Sequence, residues 1–191
     1  KPTLVAECKK RGLKSVSAVL RELGKGDAEK SKNGLASMLK SIWGKEYIDE
    51  RDARYINDRV HANIQNDGTF SVIPRIYGGV TTADDLIKFG EVAKKYNVPM
   101  VKITGGQRID LLGIKKDDLP KVWADLGMPS GQAYTKGVRM VKTCVGTDFC
   151  RFGTQDSTQM GKDLERAMWR MYAPHKVKFA VSGCPRNCAE A

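Results

Sequence analysis

Residues 70–114 read FSVIPRIYGGVTTADDLIKFGEVAKKYNVPMVKITGGQRIDLLGI and carry the clearest succession of strand and helix signals in the chain. The apolar run that opens this segment follows the turn sequence NDG (66–68), which is a strong signal for a β-hairpin. TTADD (81–85) predicts a helix start, because a threonine hydroxyl caps free amides and the acidic residues favour the positive end of the helix dipole. VPMVKIT (98–104) then predicts a buried strand, and QRIDLLGI (107–114) predicts a second strand after a Gly-Gly turn.

The segments on either side extend this pattern. LPKVWADLG (119–127) predicts an amphipathic helix that ends at its glycine. The order strand, helix, strand, strand, helix favours an α+β fold with helices on one face of an antiparallel sheet. Apolar spacing and alternation predict the remaining elements, which are helices at 13–23, 35–42 and 157–172 and strands at 137–143 and 176–182. We expect Pro174 to end the last of these helices.

The composition is that of a basic, soluble globular protein. The 191 residues include 33 Lys and Arg against 22 Asp and Glu, a formal charge of +11. This excess favours an anionic partner (nucleic acid, a membrane surface or a polyanionic small molecule) or a solvated basic surface on a piece of a larger protein. The absence of basic blocks and of a nucleic-acid module in the sequence predicts no specific nucleic-acid partner. No apolar run reaches the roughly 20 residues that cross a bilayer, so we expect no membrane segment.

Four of the five cysteines form two close pairs. Cys144 and Cys150 form C-x5-C, and Cys184 and Cys188 form C-x3-C, while Cys8 stands alone and is expected to be a structural or surface thiol. An odd number of cysteines without a secretory signal favours metal ligation in a reducing compartment, the cytoplasm, over disulfides. A spacing of five is long for a zinc knuckle, so an iron–sulfur cluster is favoured. Zinc and uncoordinated thiols stay open as alternatives.

Longer motifs carry a resemblance to a known family. TCVGTDFCRFGTQDS (143–157) and AVSGCPRNCAEA (180–191) resemble the cluster loops of the siroheme-dependent nitrite and sulfite reductases. Their ferredoxin-like half-domain is similar to NDRVHANIQNDGTF (57–70), FSVIPRIYGGVTTADDL (70–86) and YNVPMVKITGGQRIDLLGIKKDDLPKVWADLG (96–127). The resemblance is greatest to the large subunits of NAD(P)H-dependent assimilatory nitrite reductases, and it covers the chain from about Tyr55 onward.

The resemblance implies three parts. Residues 1–45 would be a helical remnant of a [2Fe-2S]-type domain, 46–130 the half-domain, and 131–191 the start of the α+β siroheme and [4Fe-4S] domain. Many relatives carry a C-x-x-C pair in the first part, but the corresponding positions here are Ala28 and Ser31. The resemblance therefore implies no cluster in the first part and leaves the electron route open. FAD and NAD(P)H would bind parts of the parent protein outside this chain, which starts without Met and which we interpret as a fragment.

For the site, the resemblance implies one [4Fe-4S] cluster, and its ligands would be Cys144, Cys150, Cys184 and Cys188. The thiolate of Cys188 would also be the axial ligand of the siroheme iron, and nitrite on the opposite face would be reduced to ammonia by six electrons. Siroheme carboxylates and nitrite both need cations around them. The candidates for this role are Arg75, Lys102, Arg108, Arg139 and Lys142.

The implied function is that of an oxidoreductase of nitrate assimilation, a siroheme nitrite reductase whose activity this chain alone is not expected to show. A sulfite reductase, which reduces sulfite to sulfide with the same cofactors, is the alternative enzyme. A zinc- or cluster-bearing binding module is the alternative from another class. A small subunit or a second copy of the large subunit stays open as a partner.

Overall fold

The computed structural model describes residues 2–24, 29–50 and 60–191. The chain divides into two compact units, the first comprising Lys1–Asn57 with Ile64–Gly68 and the second comprising Asp58–Asn63 with Thr69–Ala191. Two sequence expectations fall elsewhere, since Ala28 and positions 51–59 of the predicted half-domain lie outside the described residues. Among the described residues, no helix is long and apolar enough to cross a membrane.

Three helices form the described part of the first unit. They are α1 (Pro2–Lys10), α2 (Val16–Leu23) and α3 (Glu29–Trp43), and a 3-10 turn at Gly44–Glu46 follows them. Ser15 caps α2 by accepting a hydrogen bond from the amide of Ala18. The helices bury a common apolar core of Cys8, Leu13, Val16, Val19, Leu35, Ala36 and Leu39. The sequence predicted α2 and the second half of α3, but it missed α1.

The second unit contains most of the predicted sheet, with helices between its strands. The elements in chain order are β1 (Asn63–Ile64), of which Ile64 is assigned to the first unit, β2 (Phe70–Val72), α4 (Ala83–Lys95), β3 (Met100–Ile103), β4 (Ile109–Ile114) and α5 (Leu119–Leu126). The strand order is β1-β2-β4-β3, and β4 runs antiparallel to both β2 and β3, so that Leu111 faces Val72 on one side and Val101 on the other. Thr82 caps α4 and Gly127, at φ 59°, ends α5, as the sequence predicted.

The strand β3 differs from its prediction. We expected VPMVKIT to form a buried strand, but β3 lies at the edge of the sheet, and Met100 and Ile103 are 55% and 81% exposed. The buried positions belong to the central strands instead, with Phe70 and Leu111 completely shielded from solvent. An apolar run identifies a strand without identifying its neighbours, so it cannot separate a central strand from an edge strand.

The rest of the second unit is a β-α-β crossover. Strand β5 (Val138–Thr143) leads through the short α6 (Gly146–Phe149) and through α7 (Ser157–Ala167) to β6 (Val177–Val181). The strands β5 and β6 pair in parallel. Helix α7 is shorter than predicted and does not continue to Pro174, because Met168 caps it and Arg170 adopts φ 68°, which no α-helix accommodates. The chain turns there instead and bridges back to β5 through Gly137 and Tyr172.

Candidate functional site

The two cysteine pairs lie in the loops that follow β5 and β6. Cys144 comes directly after β5, and Cys184 comes three residues after β6. Because the two strands are parallel, their carboxyl ends meet at one edge, which is where α/β folds characteristically bind ligands. The amide of Cys144 donates to the carbonyl of Val181 at 3.3 Å, so the start of one loop is tied to the end of the neighbouring strand.

The loops also interlock through Gly183. The amides of Thr154 and Gln155 both donate to the Gly183 carbonyl, at 2.9 and 3.1 Å. A Cβ atom on Gly183 would lie 2.7 Å from the carbonyl oxygen of Gln155, and a Cβ on Gly146 would lie 2.9 Å from the same oxygen. Both positions therefore need glycine, since only glycine lets the backbones approach this closely.

Cys144 has the most structured surroundings of the four thiols. Its Sγ accepts a hydrogen bond from the amide of Gly183 at 3.1 Å and lies 3.1 Å from the Oγ of Ser157. The hydrogen bond with Ser157, together with the Gly183 amide, holds the pKa of the Cys144 thiol below its ordinary value. The thiolate is the form that binds metals, so these contacts favour Cys144 as a ligand. None of the five cysteines forms a disulfide.

The structure does not bring the four paired thiols together as a metal site. Among the described residues, no three His, Cys, Asp or Glu side chains form a group that could hold one metal ion. A zinc ion would draw its four ligand atoms to within about 2.3 Å of a single point. An iron–sulfur cluster binds each thiolate to a different iron atom, so its ligands stand further apart. Four free thiols with amide and hydroxyl donors around Cys144 fit that chemistry, and their assignment as cluster ligands stays a prediction.

Arg75 forms the central ion pair of the second unit. Its Nη1 donates to Oε1 of Glu165 at 2.6 Å, and both side chains are 1% exposed. The other oxygen of Glu165 accepts from the amides of Gly78, at 2.9 Å, and Val141, at 3.3 Å. The anion-binding role expected for Arg75 stays a prediction, and in this structure its guanidinium is bound to a protein carboxylate.

Glu165 was not predicted as a site residue. The apolar spacing that predicts this helix does not mark its buried face, which consists of Ser157, Gly161 and Glu165. These three residues recur every fourth position, and a carboxylate in line with two small residues was the available signal. Met160, an apolar residue of the same helix, is 54% exposed.

Arg108 and Arg139 lie near Arg75 and are incompletely satisfied. Arg108 donates from Nη1 to the Gly131 carbonyl at 2.9 Å, but the Nε atoms of Arg108 and Arg139 are buried without a hydrogen-bond partner among the described residues. Burial and then the positive charges of Arg139 and Arg75 lower the pKa of Arg108 to about 10. Buried donors without acceptors and crowded cations are the surroundings that an anionic group would relieve. This pair therefore fits the predicted carboxylate or nitrite binding.

Two lysines line a separate cavity of about 290 Å³ beside β5 and β6. Lys142 donates to Glu190 at 2.8 Å, and Lys178 lies on the neighbouring strand. Lys142 was predicted from the sequence as an anion-binding candidate, and Lys178 was not. Only the parallel pairing of β5 with β6 shows that both lysines reach one cavity. Lys102, by contrast, is exposed on the edge strand β3 and is not among the residues that line this cavity.

Two family models match the chain. The model described as the nitrite/sulfite reductase ferredoxin-like half domain matches residues 63–128. The model described as the nitrite and sulphite reductase 4Fe-4S domain matches residues 134–191, which include all four paired cysteines. The predicted fold, an α+β half-domain followed by the start of the cluster domain, is confirmed by these matches and by the mixed helices and sheets.

Proteins of known function and a solved structure match most of this chain. The NAD(P)H nitrite reductase of Bacillus subtilis (strain 168) is 55% identical over an alignment of 191 positions, which covers 98% of this chain and 24% of that protein. An assimilatory-type sulfite reductase of Nitratidesulfovibrio vulgaris is 42% identical over 123 residues, or 64% of this chain and 56% of that protein. The solved structure of the Mycobacterium tuberculosis NirA protein has a TM-score of 0.56 at 17% identity and covers 88% of this chain and 35% of that chain. The chain thus spans about a quarter of the first relative, and the structural likeness concerns the fold.

Proposed function

This chain belongs to the nitrite and sulfite reductase family, and we propose that it forms the half-domain and cluster-binding part of a larger siroheme-dependent nitrite reductase. The complete protein would reduce nitrite to ammonia by six electrons. The observation that carries the proposal is the arrangement around Cys144, where a buried hydroxyl and an amide from the other cysteine loop both meet one sulfur atom. The chain alone would be inactive, because it spans only 24% of the similar nitrite reductase.

The residues divide the work between electron transfer and anion binding. When bound, the [4Fe-4S] cluster supplies single electrons and siroheme supplies an iron centre for the substrate. Cys144, Cys150, Cys184 and Cys188 would hold the cluster, and Cys188, the exposed member of the set, would also reach the siroheme iron.

The cations would orient the anionic groups. The free Nε atoms of Arg108 and Arg139 would bind a siroheme carboxylate or nitrite through charge-assisted hydrogen bonds. The ammonium groups of Lys142 and Lys178 would stabilise negative charge beside the cavity and hold protons for the oxygens that leave nitrite. Arg75 would keep its neighbours in place through Glu165, in addition to the role predicted for it.

Nitrite is favoured over sulfite by the extent of the similarity. The nitrite reductase relative matches 98% of the chain at 55% identity, whereas the assimilatory-type sulfite reductase matches 64% at 42%. The discriminating measurement is kcat/KM of the complete protein for nitrite and for sulfite. A higher value for sulfite would replace the proposed substrate and leave the cofactor assignment standing.

The cofactor assignment is tested by composition. We expect about four iron and four sulfide per complete protein from this site after purification without oxygen, together with siroheme absorption bands. The variant Cys188→Ser should lose the cluster signal and activity, and Cys8→Ala, which removes a thiol buried in the first unit, should keep both. One zinc per chain without iron would favour the binding-module alternative and overturn the proposal.

We infer the cellular compartment from the chemistry of the thiols. The cysteines are free thiols, which persist in a reducing compartment, so we infer that the complete protein works in the cytoplasm in nitrate assimilation. A small subunit or a second copy of the large subunit would be its partner. Size measurements on the complete protein, alone and coexpressed with a small subunit, would identify which of the two it binds.

A further inference from the structure

We propose that the hydroxyl of Ser157 is a positioning group for the cluster ligand Cys144. The hydroxyl donates a hydrogen bond to the metal-bound thiolate of Cys144 and thereby raises the reduction potential of the cluster. The proposal rests on the proposed function, because it requires a cluster on Cys144. It adds to that function a residue outside the cysteine set and a measurable property of the site.

The geometry around Ser157 leaves its hydroxyl two acceptors. Ser157 is 0% exposed and begins helix α7, and its Oγ lies 2.9 Å from the carbonyl oxygen of Cys144 and 3.1 Å from the Sγ of the same residue. A serine hydroxyl has one proton, so it can donate to only one of these atoms at a time.

A thiolate that is bound to metal carries no proton, so its sulfur can only accept hydrogen bonds. The carbonyl of Cys144 keeps a partner when Ser157 donates to the sulfur, because Thr158 also donates to that carbonyl, at 3.2 Å. The Ser157 proton is therefore available to the sulfur once metal is bound, and the Gly183 amide supplies a second donor at 3.1 Å.

The hydroxyl is held in this position by its neighbours. A Cβ atom on Gly146 would come within 2.8 Å of the Ser157 Oγ, and one on Gly183 would come within 3.1 Å. Both positions are glycine, and the space they leave is filled by the hydroxyl group. A hydrogen bond to a cluster sulfur stabilises the more negative, reduced form more than the oxidised form, which raises the potential.

The test compares three variants of the complete reductase by redox titration of the cluster, followed spectroscopically. Ser157→Ala should lower the equilibrium constant for reduction of the cluster about tenfold, so the midpoint potential should become more negative by about 59 mV for one electron. Ser157→Cys keeps a weaker donor in a similar shape and should shift the potential less. Thr154→Val is the matched control, because it removes a nearby hydroxyl that donates to the Gly183 carbonyl at 3.0 Å and not to a sulfur.

The outcomes separate this proposal from the proposed function. A full cluster content in all variants with a lowered potential only at position 157 supports the role of Ser157. A full cluster content with one unchanged potential in Ser157→Ala and in Thr154→Val overturns it and leaves the proposed function intact. Equal shifts in Ser157→Ala and Thr154→Val overturn it too, since they indicate general loosening of the loops. Absence of iron and sulfide from the parent protein overturns both.

Discussion

Replacing Glu165 by glutamine should destabilise the second unit strongly, although the two side chains have nearly the same shape. All three partners of this carboxylate are donors, namely the Arg75 guanidinium at 2.6 Å and the amides of Gly78 and Val141 at 2.9 and 3.3 Å. Glutamine offers one acceptor oxygen and one NH2 donor. In either orientation it therefore leaves Arg75 without a counter-charge and sets a donor against a donor.

The magnitude follows from the burial of the pair. Both side chains are 1% exposed, so water cannot replace the lost partner. Removing one member of such a pair costs about 3–5 kcal/mol of unfolding free energy, because an uncompensated charge stays buried. With a urea dependence of about 2–3 kcal/mol per molar for a chain of this size, the unfolding midpoint should fall by about 1–2 M.

The assay is urea denaturation followed by tryptophan fluorescence. Trp169 packs against Arg75, at 5.6 Å from the guanidinium carbon to the ring centre, so it reports on the region of the pair. A Trp43→Phe background removes the tryptophan of the first unit. Glu190→Gln is the matched control. It replaces an exposed carboxylate, and loss of an exposed ion pair should leave the unfolding midpoint unchanged.

A Glu165→Gln midpoint equal to that of the parent would contradict this prediction. A second check uses the double replacement Arg75→Met with Glu165→Gln. It removes the uncompensated charge, and the glutamine oxygen can still accept from the amides of Gly78 and Val141, so the double variant should recover most of the stability lost in Glu165→Gln. Additive losses in the double variant would mean that the pair contributes through packing and not through its charges.

Three further predictions concern neighbouring residues. Arg108→Met should raise the urea midpoint of the cofactor-free protein, because it removes a buried cation whose pKa is lowered to about 10 by burial and then by the positive charges of Arg139 and Arg75. It should also lower the siroheme content of the complete protein, because a hydrogen-bond donor is lost. Burial raises the pKa of Asp110, so the folded state holds that proton more tightly than the unfolded state does. The free energy of unfolding therefore falls as the pH rises from the ordinary pKa of about 3.9 through the raised pKa. Urea denaturation at pH 7 should show Asp110→Asn to be more stable than the parent, and denaturation below the ordinary pKa should show no difference. Gly183→Ala should lower the cluster content and should lower the free energy of unfolding by about 1–3 kcal/mol, because its Cβ would lie 2.7 Å from a backbone oxygen of Gln155.

Local signals were readable from the sequence, because their partners lie within a few residues. The cap of α4 needs only Thr82 and the amide of Asp85, and the end of α5 needs only a glycine at positive φ. The cysteine spacing likewise favoured an iron–sulfur site over zinc without any knowledge of the fold. Each of these features depends on chemistry within one turn or loop.

Features that depend on distant neighbours were not readable in this way. Arg75 and Glu165 are 90 positions apart, so their pairing is set by the packing of α7 against the loop after β2. The edge position of β3 depends on the strand order, and an apolar pattern is the same at the edge and at the centre. Lys178 could be connected to Lys142 only through the parallel pairing of β5 and β6.

Arg75, Arg108 and Arg139 form a cluster of cations whose mutual repulsion lowers the stability of the fold, and binding of an anion would account for this arrangement. Burial and then the positive charges of Arg139 and Arg75 lower the pKa of Arg108, while the carboxylates of Glu165 and Asp110 act in the opposite direction. An anion that accepts from the free Nε atoms of Arg108 and Arg139 would supply the missing negative charge and the missing acceptors together. A ligand that binds only the folded state stabilises it by mass action. If an anion binds to this arginine cluster, the protein with its cofactors bound should therefore unfold at a higher urea concentration than the cofactor-free protein.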